Sequence, residues 1–516
     1  MTNPGNTRTT TSAPRRAIVI GAGITGMLAA VALREVTDEV LIVENDELPD
    51  GPLPRKGLPQ ARHAHSFWSG GVLAAETLLP GVTDRWMAAG ARRIPIPTGM
   101  VGFSSEGWFR RWNSETHFIL ACSRDLLDSV VRDFVLEAGR VSIRQRTRVE
   151  GLTGSAAGVT GVRVRGADGR EEDLEADFVI DASGRGSRTP RHLQELGVGS
   201  APERSLDLGL VYATRLFRAP EGAGDFPIVS VQSDARLAGP GQGASILPIE
   251  DNKWLVTALG TRGGEPTGAV EDFEPFTRGL RHPLVGEIIS HLEPLTGVAI
   301  NRSTRNTRRY FEHLKNWPER FVVMGDALAA FNPTYGHGMS VGAQSALALK
   351  NVLSANDVNT PHLSRRIQKA VAKPVAAAWD LALGQDVFYP QVRGGAPSRR
   401  DRILATYVHR LLKTSCGNFT MVRDFTDVTS LQAPLTTLVK PRVLLAAARG
   451  PLHPPLSGPP LTERELGLVT ARGCRPADSD PPRSPAEQEQ SSREPERSAT
   501  TVGAARIHPD SEGIRP

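Results

Sequence analysis

Residues 16–44 read RAIVIGAGITGMLAAVALREVTDEVLIVE, and their order decides the fold. Ile18-Val19-Ile20 is a short β-branched run of the kind that fills a buried parallel strand. Gly21, Gly23 and Gly26 follow in the spacing GxGxxG, and an apolar helical pattern continues through Met27, Leu28, Val31 and Ala32. A second strand, Val40–Val43, ends at Glu44, eighteen residues after Gly26. Each glycine has a physical job. Gly21 permits the tight turn, Gly23 lets the backbone approach a pyrophosphate, and Gly26 lets helix and strand pack closely. The helix N-terminus offers free N–H groups to the anion, and Glu44 is placed to accept the hydroxyls of an adenosine ribose. Strand, glycines, helix and acid together predict a dinucleotide site.

The rest of the chain bounds that reading. At 516 residues it exceeds one hydrophobic core, so two or three packed units are expected. A formal charge of +5 is small for this length, and the basic and acidic residues are interspersed, which gives no case for nucleic acid. Cys122, Cys416 and Cys474 are too few and too scattered for a disulfide framework or a zinc site, so a reducing, cytoplasmic setting fits. Residues 1–14 are polar and carry no hydrophobic region of a signal peptide, and no stretch has the uncharged apolar length of a membrane span.

Further along, residues 46–62 form a Pro/Gly-rich loop, and a helix is expected from about Ser66. Residues 92–118 suggest a small antiparallel sheet. Arg124 stands at the head of a helix. Phe178–Ile180 is a buried strand running into Asp181-Ala182-Ser183-Gly184, with Arg185 and Arg188 readable either as contacts or as solvated charges. Between about 205 and 300, short strand-like segments predict a mostly antiparallel inserted sheet. A parallel-type strand then returns at Phe321–Met324, ending in Gly325-Asp326, before the loop Gly336-His337-Gly338-Met339 and a further helix. The expected fold is α/β: a Rossmann-like domain (15–78, 118–203 and 301–355), an inserted sheet (79–117 and 204–300), a helical C-terminal region (356–470), and disordered ends at 1–14 and 471–516.

The first glycines alone do not separate one dinucleotide from another. No second strand–GxGxxG–helix unit is present; Gly239, Gly241 and Gly243 lack the flanking strand and helix. Asp326 instead ends a strand about three hundred residues later, placed to reach the middle of a long cofactor. The Gly336–Met339 loop puts a helix N-terminus where negative charge on a reduced flavin would be stabilised by ~0.3–1 kcal/mol.

Taken together, these motifs resemble the FAD-dependent monooxygenases of the para-hydroxybenzoate hydroxylase fold. RKGLPQARHAH (Arg55–His65), VYATRLFRAP (Val211–Pro220), TRGGEP (Thr261–Pro266) and FNPTYGHGMS (Phe331–Ser340) are most similar to flavin epoxidases of polyether ionophore biosynthesis. The resemblance covers about Arg15 to Lys350. It implies non-covalent FAD held by Gly21, Gly23, Gly26 and Glu44 at the ADP half, Arg124 at the pyrophosphate and Val149 beside adenine. It further implies Asp326 at the ribityl–pyrophosphate region, and Gly338 and Met339 at the isoalloxazine, with Arg62 a flavin-side contact. The implied chemistry is attack of an alkene of a hydrophobic polyene polyketide, free or carrier-tethered, on a flavin C4a-hydroperoxide formed with O₂. That step needs no catalytic side chain as nucleophile or strong base. Electrons would come from NAD(P)H directly or through a separate flavin reductase. The pocket is expected to be largely apolar, lined from Leu210–Phe217 and Ile246–Pro248.

Other readings stay open. Aromatic hydroxylation is opposed by Asp181-Ala182-Ser183-Gly184, where aromatic hydroxylases usually carry Asp-Gly. Halogenation is opposed by the absence of a WxWxIP segment. A flavin reductase without oxygenase activity is the remaining alternative. His63, His65 and His337 have no acid or cysteine at metal-ligand spacing, so no metal is expected, and His337 is expected to tune the site by hydrogen bonding.

Overall fold

Arg16–Ile20 and Glu39–Val43 lie at the middle of a five-stranded parallel sheet in a computed structural model that describes residues 15–302, 305–357 and 360–470. The expectations for residues 1–14 and 471–516 lie outside those residues. The strand order is Phe321–Val323, Phe178–Asp181, Arg16–Ile20, Glu39–Val43, Val141–Arg144, parallel throughout. Such a sheet must be covered on both faces. Ile18, Val19, Val179, Ile180, Val322 and Val323 are accordingly fully buried, and the helices Ile24–Leu33, His337–Ser354 and Leu363–Asp386 join the same core. Ile20, Val43, Asp181 and Val323 all end their strands at one edge, where ligands of open α/β sheets bind.

The inserted sheet has seven strands in the order Ala299–Asn301, Val211–Arg218, Lys253–Gly260, Gln242–Ile249, Ile228–Val231, Met100–Ser104, Gly107–Trp108. All neighbours are antiparallel except Ile228–Val231 beside Met100–Ser104. Alternation along the strands separates two faces. Ala213, Phe217, Ile246 and Val256 pack with Phe273, Val285 and Ile288 of the helices Val270–Arg278 and Leu284–Ile289. The other face, carrying Tyr212, Thr214 and Leu216, turns toward the parallel-sheet unit.

Residues 92–118 do not form one small sheet. Arg92–Ile96 pairs with His117–Ala121, and Phe67–Trp68 adds a third strand, whereas Met100–Ser104 crosses into the seven-stranded sheet. The switch comes at Gly99, where an added Cβ would lie 2.7 Å from Ile94 Cγ2 and 2.9 Å from the Pro95 carbonyl, so the chain turns where only glycine fits. The pairing of Phe67 with Leu120 also delays the helix expected from Ser66 to Ser69–Leu78. In residues 79–91, Trp86 stacks edge-on to Phe67 and donates to the Leu127 carbonyl at 3.2 Å, which ties this segment to the parallel-sheet core. The C-terminal region is helical as expected: Arg399–Ser415, Phe419–Thr429 and Pro441–Arg449 share a small core around Leu411, Met421 and Val443.

Candidate functional site

The carboxyl ends of the parallel strands open into a cleft of about 680 Å³. At one end stands the glycine turn. Gly21 has φ +99°, and a Cβ there would lie 2.7 Å from the Ala182 carbonyl. Gly26 turns inward, because its Cβ would come within 2.0 Å of the Gly21 carbonyl. It packs helix on turn and does not line the cleft. Gly23 has nothing within 4 Å of an added Cβ, so it forms open floor. No side chain caps the helix that starts after it, leaving its first N–H groups directed at the cleft.

Glu44 reaches the same end but is not free. Its Oε2 accepts from the Ala22 N–H at 2.7 Å and pairs with Arg55 at 3.0 Å, while Oε1 accepts from the Asp46 N–H at 2.9 Å. A carboxylate offers about four acceptor positions, so roughly one remains for a ribose hydroxyl. Thr147, Arg148 and Val149 form the facing wall.

Arg124, at the start of the helix Arg124–Glu137, comes in midway; its Nε donates to Asp128 at 2.8 Å. Asp326 lies opposite on the turn Gly325–Ala327, 3.4 Å from Arg185 Nε. Burial raises the Asp326 carboxyl, and the Arg185 and Arg124 charges oppose that rise. Arg185 also donates to the Phe331 carbonyl and, at 3.1 Å, to the Arg305 carbonyl. It is therefore a cleft residue and not a solvated surface charge. Arg188 lines the cleft as well and bonds Glu150 at 3.2 Å. Asp181 faces its own loop, accepting from the Ser183 N–H at 2.9 Å and the Ser187 hydroxyl at 2.5 Å.

The far end is built from Gly336–Met339, residues 63–66 and Tyr212. Gly336 adopts the left-handed conformation at φ +65° against Ser66, and the helix His337–Ser354 starts there. An added Cβ on Gly338 meets only Asp326 Oδ1, at 4.0 Å, so this helix end faces open space. His337 Nε2 donates to the Thr429 carbonyl at 2.9 Å, while Nδ1 has no partner among the described residues. His63 Nδ1 lies 2.8 Å from the Thr214 hydroxyl, and His65 Nδ1 lies 2.8 Å from the His63 carbonyl. Burial lowers the His63 and His337 imidazoles to about 4 and His65 to about 3; Arg62 adds to the effect at His63 and Arg124 at His65. All three rings are neutral at pH 7.

Two expectations need correction. Arg62 does not line the cleft. It is exposed on the turn Pro59–Arg62, whose winding buries Ala61 and His63 and turns Arg62 outward. Arg55, from the same motif, is the arginine that enters. Ile246–Pro248 does not line the cleft either. Ile246 belongs to the opposite face, and on the inward face Leu247 packs with Ile94, Ile96, Ile119 and Ala121 of the three-stranded sheet, beside Ala64, whose N–H donates to Thr257 Oγ1 at 3.0 Å. Of Leu210–Phe217, Tyr212 alone lines the cleft. Gly21, Gly23, Glu44, Arg124, Val149, Asp326, Gly338 and Met339 all do. Tyr212 falls within the segment expected to line the pocket, whereas sequence reasoning missed Arg55 and the set Asn332, Tyr335 and Asp386.

Among the described residues no group of three His, Cys, Asp or Glu could hold a metal ion, and no helix is long and apolar enough to cross a membrane. A glycine floor under free helix N–H groups, an acid-bearing turn and a second helix end fit a long dinucleotide that carries a flavin.

Comparison with known proteins agrees. The family described as "FAD binding domain" matches residues 15–359. Protein Rv3254 of Mycobacterium tuberculosis is 29% identical over 393 residues, covering 72% of this chain and 80% of that one. Rifampicin monooxygenase of Streptomyces venezuelae is 26% identical over 338 residues, covering 66% and 63%. The solved structure of the flavin-dependent brominase Bmp2 superposes with a TM-score of 0.57 at 15% identity, covering 84% of this chain and 98% of that one, and shares the fold.

Proposed function

This chain belongs to the FAD-binding domain family, and from that premise we propose that it is an FAD-dependent monooxygenase that epoxidises alkenes of a hydrophobic polyene. In this reading the parallel-sheet unit holds the cofactor and the inserted sheet meets the substrate. Gly21, Gly23 and Glu44 hold the ADP half, with Val149 beside adenine. Arg124 meets the pyrophosphate, Asp326 the ribityl–pyrophosphate region, and Gly338 and Met339 the isoalloxazine. Reduced FAD, when bound, supplies the activation of O₂ and the electrophilic oxygen. The similarity to rifampicin monooxygenase supports oxygenase chemistry.

The chain's own groups do the rest. The helix start at His337–Met339 favours negative charge nearby, by ~0.3–1 kcal/mol. Ala64 and Trp68, with Ile94, Ile96, Ile119 and Ala121 of the three-stranded sheet, pack on the inward face of the inserted sheet and help exclude water.

One observation favours an alkene over a phenol. The titratable groups around Gly338 and Met339 are imidazoles lowered by burial to about 3 to 4, the Tyr212 hydroxyl, pushed up by burial, and the Asp326 carboxyl, which burial raises from an ordinary value of 3.8. A phenol titrates near ~10, so bases this weak are poorly matched to deprotonating one. An alkene has no proton to lose. Electrons reach the flavin from NAD(P)H binding transiently or from a separate reductase.

Incubation with a prenylated polyene and a simple phenol together, with FAD, O₂, bromide and a reductant, followed by product isolation, tests the reading. An epoxide of the polyene is expected. A catechol or a brominated product would replace it with aromatic hydroxylation or halogenation, and a saturated polyene with a reductase.

A further inference from the structure

Asp386 closes the helix Leu363–Asp386 and is fully buried, at 0% exposure, beneath the loop that carries Asn332 to Met339. Among the described residues no lysine, arginine or histidine pairs with it. Three neutral donors converge on it instead. Asn306 Nδ2 donates to Oδ2 at 2.5 Å, the Tyr335 hydroxyl donates to Oδ1 at 2.7 Å, and Asn332 Nδ2 lies 3.3 and 3.4 Å from the two oxygens. Burial raises the carboxyl to about 6 against the pull of those donors. An acid enclosed without a countercharge is costly unless its acceptors are used.

Here they help to fix one residue, Asn332, whose side-chain amide and backbone N–H are all bonded. Asn332 gives its Nδ2 to Asp386 and its backbone N–H to Asn306 Oδ1. Its Oδ1 accepts from the Thr334 N–H at 3.0 Å, the Thr334 hydroxyl at 2.7 Å and the Tyr212 hydroxyl at 3.0 Å. The chain of bonds therefore runs from the C-terminal helical region, through the cofactor loop, to the strand Val211–Arg218 of the inserted sheet.

We propose that Asp386 is a positioning residue for the cofactor loop: through Asn332 and Tyr335 it fixes the turn from which Gly338 and Met339 enter the cleft, and through Asn332 it fixes the Tyr212 hydroxyl. The inference rests on reading the cleft as the FAD site. It gives the helical C-terminal region a part in the site without any contact between Asp386 and substrate.

The test uses full-length Asp386→Asn and Tyr335→Phe proteins, stripped of flavin and titrated with FAD. Visible circular dichroism of the bound flavin and melting of the flavin-free proteins are the further readouts. In Asp386→Asn one of the two acceptor oxygens becomes an N–H₂ that can only donate, so either the Tyr335 hydroxyl must turn to accept or the Asn306 donor loses its acceptor. FAD binding is expected to weaken about tenfold, with a changed flavin dichroism band. Tyr335→Phe, which loses one hydroxyl, is expected to move both readouts the same way by a smaller factor. If Asp386→Asn does not fold, Tyr335→Phe decides. Lower melting temperatures with unchanged FAD affinity and unchanged dichroism would reduce Asp386 to a structural role and overturn the proposal. Failure of the unaltered chain to bind FAD would overturn the cofactor reading and this inference together.

Discussion

Arg55 and Glu44 form an ion pair beside the glycine turn, Nη2 to Oε2 3.0 Å apart, with side chains only 8% and 9% exposed. Arg55 also donates to the Ala22 carbonyl at 3.1 Å and lies 3.5 Å from Asp46. The acid at the end of the second strand thus does two things: it faces the cleft, and it anchors the turn through an arginine from the Pro/Gly-rich loop. Removing one partner of an enclosed pair strands the other charge, at a cost of about 3–5 kcal/mol. Arg55→Ala is therefore expected to destabilise the flavin-free protein by that order and to weaken FAD binding. The combined Glu44→Gln/Arg55→Met protein should recover much of the stability but not the affinity. Chemical denaturation beside FAD titration checks both.

The glycines of the fingerprint separate by role. Gly23 borders open space, whereas a Cβ added to Gly26 would lie 2.0 Å from the Gly21 carbonyl oxygen. Gly23→Val should leave the melting temperature of the flavin-free protein nearly unchanged while FAD binding falls at least about tenfold. Gly26→Val should destabilise the flavin-free fold by more than about 2 kcal/mol, because backbone must move. Equal melting temperatures for the two variants would contradict this division.

The histidines set a pH dependence with a definite sign. His63 and His337 titrate at about 4 in the folded protein against 6.5 unfolded, and His65 at about 3. Between those values the unfolded chain binds more protons, so stability falls as pH drops from 6.5 toward 4. Asp386 acts oppositely: raised from 3.8 to about 6, it binds its proton first in the folded state and gains stability on acidification through that window. Three imidazoles against one carboxyl leave a net loss from these groups. Melting temperatures at pH 7 and pH 5 should differ less in His337→Gln, which cannot take the proton.

Those predictions draw unevenly on what the sequence makes visible. The run from Arg16 to Glu44, the strand ends at Asp181 and Asp326 and the loop at Gly336–Met339 are legible because strand, turn and helix are encoded by neighbouring residues. Arg55 is not, since a charge in a Pro-rich loop reads as solvated until the loop folds back on Ala22. Asp386 ends an amphipathic helix and looks like surface; its burial depends on Asn332, fifty-four residues away, and on Asn306, eighty away. Ile246–Pro248 was expected in the cleft because alternation shows that a strand has two faces without showing what covers each. The three-stranded sheet, through Ile94, Ile96 and Ile119, packs against one of them at Leu247.

The measurement that bears most directly on the account is mass spectrometry of the product formed from a prenylated polyene under ¹⁸O₂, with FAD and a reductant present. The account predicts one ¹⁸O atom per epoxide formed, at the former alkene. A product formed without ¹⁸O would contradict it, whatever the affinity of the chain for FAD.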